Sequence, residues 1–199
     1  MALIFDTETS GLPDCKFYGS FPIYTETAKY DTSRVVQVSY IIADQNYNKL
    51  EESDTIIKRD GFKIENHQFH GITELISDTD GIPFMDFAKQ FSNSLDNCSS
   101  IIAHNISFDF NVLCAEFYRY GLTDLISKFE SKVQICTMKK YKYLVNAKFA
   151  RGGLGVKDPN LKELYHYATG EAMENHHNSM YDTLNLWKAV KILETIKLK

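Results

Sequence analysis

The chain has 199 residues, 44% of them hydrophobic and 24% charged, and a net charge of −4, which is the balance of a single globular domain and excludes a global basic footprint. A nucleic-acid partner is therefore neither predicted nor excluded by charge, because a basic groove can coexist with an acidic total. Cys15, Cys98, Cys114 and Cys136 lie far apart with no C-x-x-C, which argues against a zinc pattern or a dense disulfide framework and for reduced thiols, and no apolar run reaches transmembrane length.

In chain order, "ALIFDTE" reads as a short buried strand, and "MALIFDTE" lacks the basic region and cleavage site of a signal peptide. A soluble, intracellular protein with no membrane contact is expected. Residues 11–33, "GLPDCKFYGSFPIYTETAKYDTS", read as a long loop, and structureless loops of that length are often functional. Residues 34–44 are rich in β-branched side chains, and 49–61 form a hairpin partner across the turn "QNYN". Phe84, Phe87, Ala88, Phe91 and Leu95 recur at helical spacing behind Pro83. "SIIAHN" (100–105) is a short strand, 108–121 a helix closed by Gly121, 132–137 a further strand and 138–146 a helix. A loop at 151–160, a short helix at 161–170 and a long one at 180–197 complete the chain.

Three strands in series followed by strand–helix alternation predict an α/β fold: an antiparallel meander, then parallel crossovers, with the ligand crevice beyond the carboxyl ends of the strands. Asp6 and Glu8 are two apart on the first strand and so share a face. Buried carboxylates are costly unless they are paired or hold a cation. With 26 acidic residues, about three acid-x-acid pairs arise by chance, so the pair gains meaning only from company. Asp109 supplies a third carboxylate in the first turn of the helix that Asn105 can cap, and Asp182 a fourth near the start of the last helix. Oxygen donors in such a set suit Mg²⁺ or Mn²⁺. His177, five residues before Asp182, suits a general base, with His176 as its rival.

"DTETSGLP", "HNISFD" and "HHNSMYD" resemble, in order, the three motifs of the DEDDh 3′–5′ exonuclease family on the RNase H-like fold, the family of proofreading exonuclease subunits and related trimming enzymes. "HGITE" followed by "GIPFMDF" also resembles the segment between the first two motifs. The resemblance spans nearly the whole chain. It implies a three-layer domain over 1–199, with a mixed sheet of about five strands flanked by helices and an inserted loop at about 13–33. The family's acids fall on Asp6, Glu8, Asp109 and Asp182 as catalytic metal ligands, and its histidine falls on His177. The resemblance further implies two divalent ions, Mg²⁺ with Mn²⁺ as substitute, and two-metal hydrolysis from the 3′ end of single-stranded nucleic acid, releasing nucleoside 5′-monophosphates. DNA is favoured slightly over RNA. A polymerase or other replication or repair partner and a homodimer are further implied.

The same resemblance sets Thr7, Thr9, Leu12, His70, Asn105 and Phe108 against the nucleic acid, and Phe108 serves equally as core packing. "KKYKY" (139–143) with Lys148 and Arg151 could follow a phosphate backbone, although a solvated helix face is the commoner meaning. The aromatics of the inserted loop, Phe17, Tyr18, Phe21, Tyr24 and Tyr30, could stack on bases or pack as a satellite cluster. Three alternatives stand beside a DNA exonuclease: an exoribonuclease, a non-catalytic nucleic-acid-binding module and an RNase H-like endonuclease.

Overall fold

The computed structural model describes residues 1–17, 19–149, 152–173 and 178–197. Five strands form one sheet: β1 (Ala2–Thr9), β2 (Val35–Ala43), β3 (Lys49–Ile56), β4 (Ser100–Ala103) and β5 (Val133–Cys136). The helices are α1 (His67–His70), α2 (Glu74–Asp80), α3 (Phe84–Leu95), α4 (Ile106–Arg119), α5 (Thr123–Glu130), α6 (Thr137–Lys140), α7 (Lys142–Val145), α8 (Leu161–Thr169) and α9 (Ser179–Lys197). The sheet order is β3-β2-β1-β4-β5. β1 pairs antiparallel with β2 and parallel with β4, so the first strand is central and the expected mixed α/β sheet is present.

The pleat of β1 divides the core in two. Leu3 and Phe5 join Phe84, Phe87, Phe91, Phe110, Phe117 and Phe129 of α3, α4 and α5 on one face. Ala2 and Ile4 join Leu164 of α8 and Leu186, Ala189, Val190 and Leu193 of α9 on the other. These are three layers, as a sheet buried on both faces requires. Phe129 stacks on Phe110 with centroids 4.8 Å apart and meets Phe5 edge-on at 5.7 Å. Each fully buried Phe contributes about 1.5–3 kcal/mol.

The structure departs from the sequence reading at several places. The helix expected over 138–146 is two short turns, α6 and α7, meeting at Tyr141, whose ring is drawn into the core and whose hydroxyl donates to Glu194. α5 was not expected, although Leu125, Ile126 and Phe129 give it one buried face. α2 begins at Thr73, whose hydroxyl accepts the Ile76 N–H; it is too short and polar to show periodicity. The loop over 11–33 contains a 3-10 turn, Thr27–Tyr30. Its two ends are stitched where a Cβ on Gly11 would come 2.4 Å from the Thr32 carbonyl oxygen, a close approach that only glycine allows. Among the described residues, no helix is long and apolar enough to cross a membrane.

Candidate active site

Asp6 and Glu8 continue the face of β1 that carries Ala2 and Ile4, so they point toward α9 at the strand's carboxyl end. The start of α9 is pinned there. The fully buried Ser179 hydroxyl donates to the Asp6 carbonyl at 2.7 Å and accepts the Ser39 N–H at 3.1 Å, bridging two residues that face each other in the β1–β2 register. Thr183, one turn later, donates to the Ser39 carbonyl. Asp182 is three residues beyond Ser179 and shares its helix face. The result is that ligand oxygens of Asp6, Glu8 and Asp182 lie within 4.8 Å of one another.

Ser179 went unnoticed in the sequence, although its i,i−3 relation to Asp182 is a usable signal. Ser179→Ala leaves a buried carbonyl and N–H without their bridge. It is expected to cost about 1–3 kcal/mol, seen as a lower denaturation midpoint with an unchanged m-value.

Asp109 arrives from the opposite layer, in the first turn of α4. It is buried, and one carboxylate oxygen accepts both the Thr7 N–H at 3.0 Å and the Thr7 hydroxyl at 2.8 Å. Three acids thus converge closely, and the fourth is tied to the backbone between the first two.

The electrostatics are those of a site built for cations. Burial pushes the Asp6 carboxyl well above its ordinary range, and the charges that add to this are Asp109, Glu8 and Asp182. Burial, then Asp182 and Asp109, push Glu8 up to about 8. Burial raises Asp109 to about 7 against the opposing hydrogen bonds from Thr7. The folded protein therefore holds protons that the unfolded chain releases near pH 4–5, and stability declines as pH rises from there through the folded values of about 7 and 8. Without divalent ions, the melting temperature is expected to fall steadily between about pH 5 and pH 8. Excess Mn²⁺ is expected to flatten that slope by compensating the ionised carboxylates. A thermal-melt series with and without EDTA tests both.

Beside the acids lies a cavity of about 430 Å³ lined by Leu12, Pro13, Cys15, Gly19, Phe21, Asn105 and Phe108. Leu12, Asn105 and Phe108 thus come together as the sequence suggested. Phe108 packs against the core and also lines the cavity. Asn105 corrects one expectation. It stands at the start of α4 in the left-handed conformation, φ 67° and ψ 47°, and its side chain makes no capping hydrogen bond. Asn is among the few residues that adopt this backbone readily, and Asn105 is one of the residues lining the cavity.

Thr9 is buried and donates to the Gly11 carbonyl. His70 is 7% exposed; its Nδ1 accepts the Ile72 N–H, and burial holds its pKa below the ordinary imidazole value. His104 is structural, bonded to Thr137 and to the Pro159 carbonyl, with burial depressing its pKa to about 4. The lysines of "KKYKY" are neutralised in ion pairs, Lys139 and Lys142 with Asp158 and Lys140 with Glu194, in keeping with a solvated face. His176, His177, Tyr18 and Arg151 lie outside the described residues.

A search of curated protein sequences finds no significant match. Among solved structures, E. coli exonuclease I in its zinc-bound complex with single-stranded DNA is 19% identical with a TM-score of 0.72, covering 100% of this chain and 41% of that one. The same enzyme with a dT13 oligonucleotide gives 18% identity and a TM-score of 0.75 over 98% of this chain and 41% of that one. Exonuclease X in complex with 5′ overhanging duplex DNA gives 19% and 0.58, covering 98% of this chain and 92% of that one. The chain spans about two fifths of the length of the exonuclease I chains. At these identities the likeness establishes the RNase H-like fold. The sequence profile of the exonuclease family RNase_T matches residues 3–190. On that match, which takes in Asp6, Glu8, Asp109 and Asp182, the chain belongs to the exonuclease family.

Proposed function

We propose that this protein is a metal-dependent 3′–5′ exonuclease of the DEDDh type, acting on single-stranded nucleic acid, with DNA as the favoured polymer. The observation that carries the reading is the convergence of Asp6, Glu8 and Asp182 within 4.8 Å, with Asp109 fixed beside them. An all-oxygen donor set whose members raise one another's pKa values fits hard divalent cations. Asp6, Glu8 and Asp182 would hold one ion, and Asp6 with Asp109 would serve a second. When bound, such ions supply Lewis acidity at the phosphate and make water a competent nucleophile near neutral pH.

The chain's own groups do the rest. His177, five residues before Asp182, accepts the proton of the attacking water. Thr7 holds the Asp109 carboxylate in one orientation, and Ser179 fixes α9 to β1, so the charges are arranged before substrate arrives. Leu12, Asn105 and Phe108 receive the terminal nucleotide in the adjoining cavity. The preference for DNA draws support from the single-stranded DNA bound to exonuclease I.

The test uses 5′-labelled single-stranded DNA and RNA of equal sequence, a 3′-phosphate-blocked oligomer, a closed single-stranded circle, and Mg²⁺ or Mn²⁺. The expected result is a ladder that shortens from the 3′ end and runs faster on DNA. It is absent with EDTA or with His177→Ala, and the circle stays intact. Cutting of the circle favours an endonuclease, and binding without hydrolysis of either polymer favours a non-catalytic module.

A further inference from the structure

The segment between β1 and β2, which the motif resemblance marks as an inserted loop, is anchored rather than slack. The Asp14 N–H donates to the Lys29 carbonyl at 2.8 Å, and the Thr32 hydroxyl to the Leu12 carbonyl at 2.8 Å. The buried Tyr30 donates to the Pro22 carbonyl at 2.6 Å. Arg119 of α4 reaches the Thr27 carbonyl at 3.0 Å and Asp31 at 2.8 Å. Tyr24 donates to Glu130 at 2.9 Å and meets Tyr118 edge-on. These ties to α4 and α5 present Phe21, half-buried, edge-on to Phe108 with ring centroids 5.7 Å apart.

Phe21 and Phe108 line one cavity from different parts of the chain. Phe108 directly precedes the site acid Asp109, whereas Phe21 belongs to the insertion, which also supplies Pro13 and Cys15. Among the described residues, no charged side chain lines the cavity, so it suits an uncharged planar group rather than a phosphate. Asn105 adds one amide that can donate to or accept from a ring edge. A volume of about 430 Å³ is within the range of small-ligand sites. A base still paired and stacked in a duplex would have to give up those interactions to enter.

Resting on the exonuclease reading, we infer that the insertion completes a slot for the unpaired 3′-terminal base, with Phe21 as the substrate-contacting wall that the family motifs do not supply. The slot binds a nucleobase by its faces and edge, and so rewards the presence of a base at the 3′ terminus whatever its identity.

The experiment measures binding of fluorescein-labelled single-stranded DNA by anisotropy in Ca²⁺, with hydrolysis in Mg²⁺ followed separately. Three oligomers are used: unmodified, abasic at the 3′-terminal position, and abasic at the penultimate position. The wild-type protein is expected to bind the unmodified oligomer about tenfold more tightly than the terminal-abasic one. Phe21→Ala is expected to weaken binding of the unmodified and penultimate-abasic oligomers about tenfold and to leave the terminal-abasic affinity unchanged. Phe21→Leu, which keeps the apolar volume and loses the flat face, is expected to fall between, and it carries the test if the alanine variant does not fold. Equal weakening on all three oligomers, retained discrimination in both variants, or discrimination only at the penultimate position would overturn the inference. Hydrolysis is read apart from binding, so a wild-type protein that discriminates but does not cleave leaves the slot standing and removes the exonuclease reading.

Discussion

Asp6→Asn is expected to lower hydrolysis by at least about 10³-fold and, at the same time, to raise the stability of the metal-free protein. Both effects come from one feature. Asp6 is held on the central strand with Glu8, Asp182 and Asp109 as its charged neighbours, and burial alone already disfavours its charge. The amide keeps the shape of the side chain and removes the charge, which relieves the like-charge repulsion in EDTA. On the proposed function it also removes one of the carboxylates that would hold the ion. Melting at pH 8 is the readout. In EDTA the variant should exceed the wild type by about 1 kcal/mol or more, which corresponds to ~2–4 °C in a domain of this size. In excess Mn²⁺ the order should reverse, because only the wild type gains binding energy. A variant less stable than the wild type in EDTA would mean that Asp6 holds the fold through hydrogen bonds rather than serving a cation.

The second large effect is away from the acids. Arg34 directly precedes β2, and its Nε donates to Glu116 of α4, with side-chain exposures of only 9% and 4%. A second nitrogen donates to Glu116 at 3.2 Å and to Asp60 at 3.0 Å, and the guanidinium lies 4.6 Å over the Phe62 ring. Burial pushes the Glu116 carboxyl upward, and Arg34 holds it down in return. Removing one partner of such a pair strands the other's charge in a dry environment. Glu116→Ala is accordingly expected to destabilise by about 3–5 kcal/mol, measured as a drop of roughly 6–20 °C in melting temperature. Glu116→Gln, which keeps an acceptor for one guanidinium N–H, should lose less. A loss under about 1 kcal/mol for the alanine variant would show that water reaches Arg34 readily. The pair also matters to the site, because the Arg34 N–H is held by Ser10, two residues beyond Glu8.

Much of this arrangement was legible because its signals are local. The two-residue period of β1 told that Asp6 and Glu8 share a face, and the phenylalanines of α3 declared their helix by spacing alone. Asp109 was placed correctly in the first turn of α4 by its distance from "SIIAHN". What escaped depends on partners distant in sequence. That Asn105 lines the cavity rather than capping α4 depends on the left-handed backbone it adopts, which the sequence does not display. The role of Ser179 needs β1 and β2 already paired, because its bridge joins residues 6 and 39. Residues 11–33 read as a long loop because their anchors, Arg119 and Glu130, lie 88 and 106 residues on from Asp31 and Tyr24. The lysines of "KKYKY" could not be discounted until Asp158 and Glu194 were beside them.

Divalent-ion binding by the carboxylate group is the centre of the account, and calorimetric titration of the EDTA-stripped protein with Mn²⁺ at pH 7, in two buffers of different ionisation enthalpy, tests it most directly. Glu8, raised to about 8, and Asp109, raised to about 7, are partly protonated at that pH, and ligation requires the charged form. The account predicts Mn²⁺ uptake with release of protons, both lost in Asp6→Asn. Absence of uptake by the wild-type protein, or uptake unchanged in the variant, would contradict it.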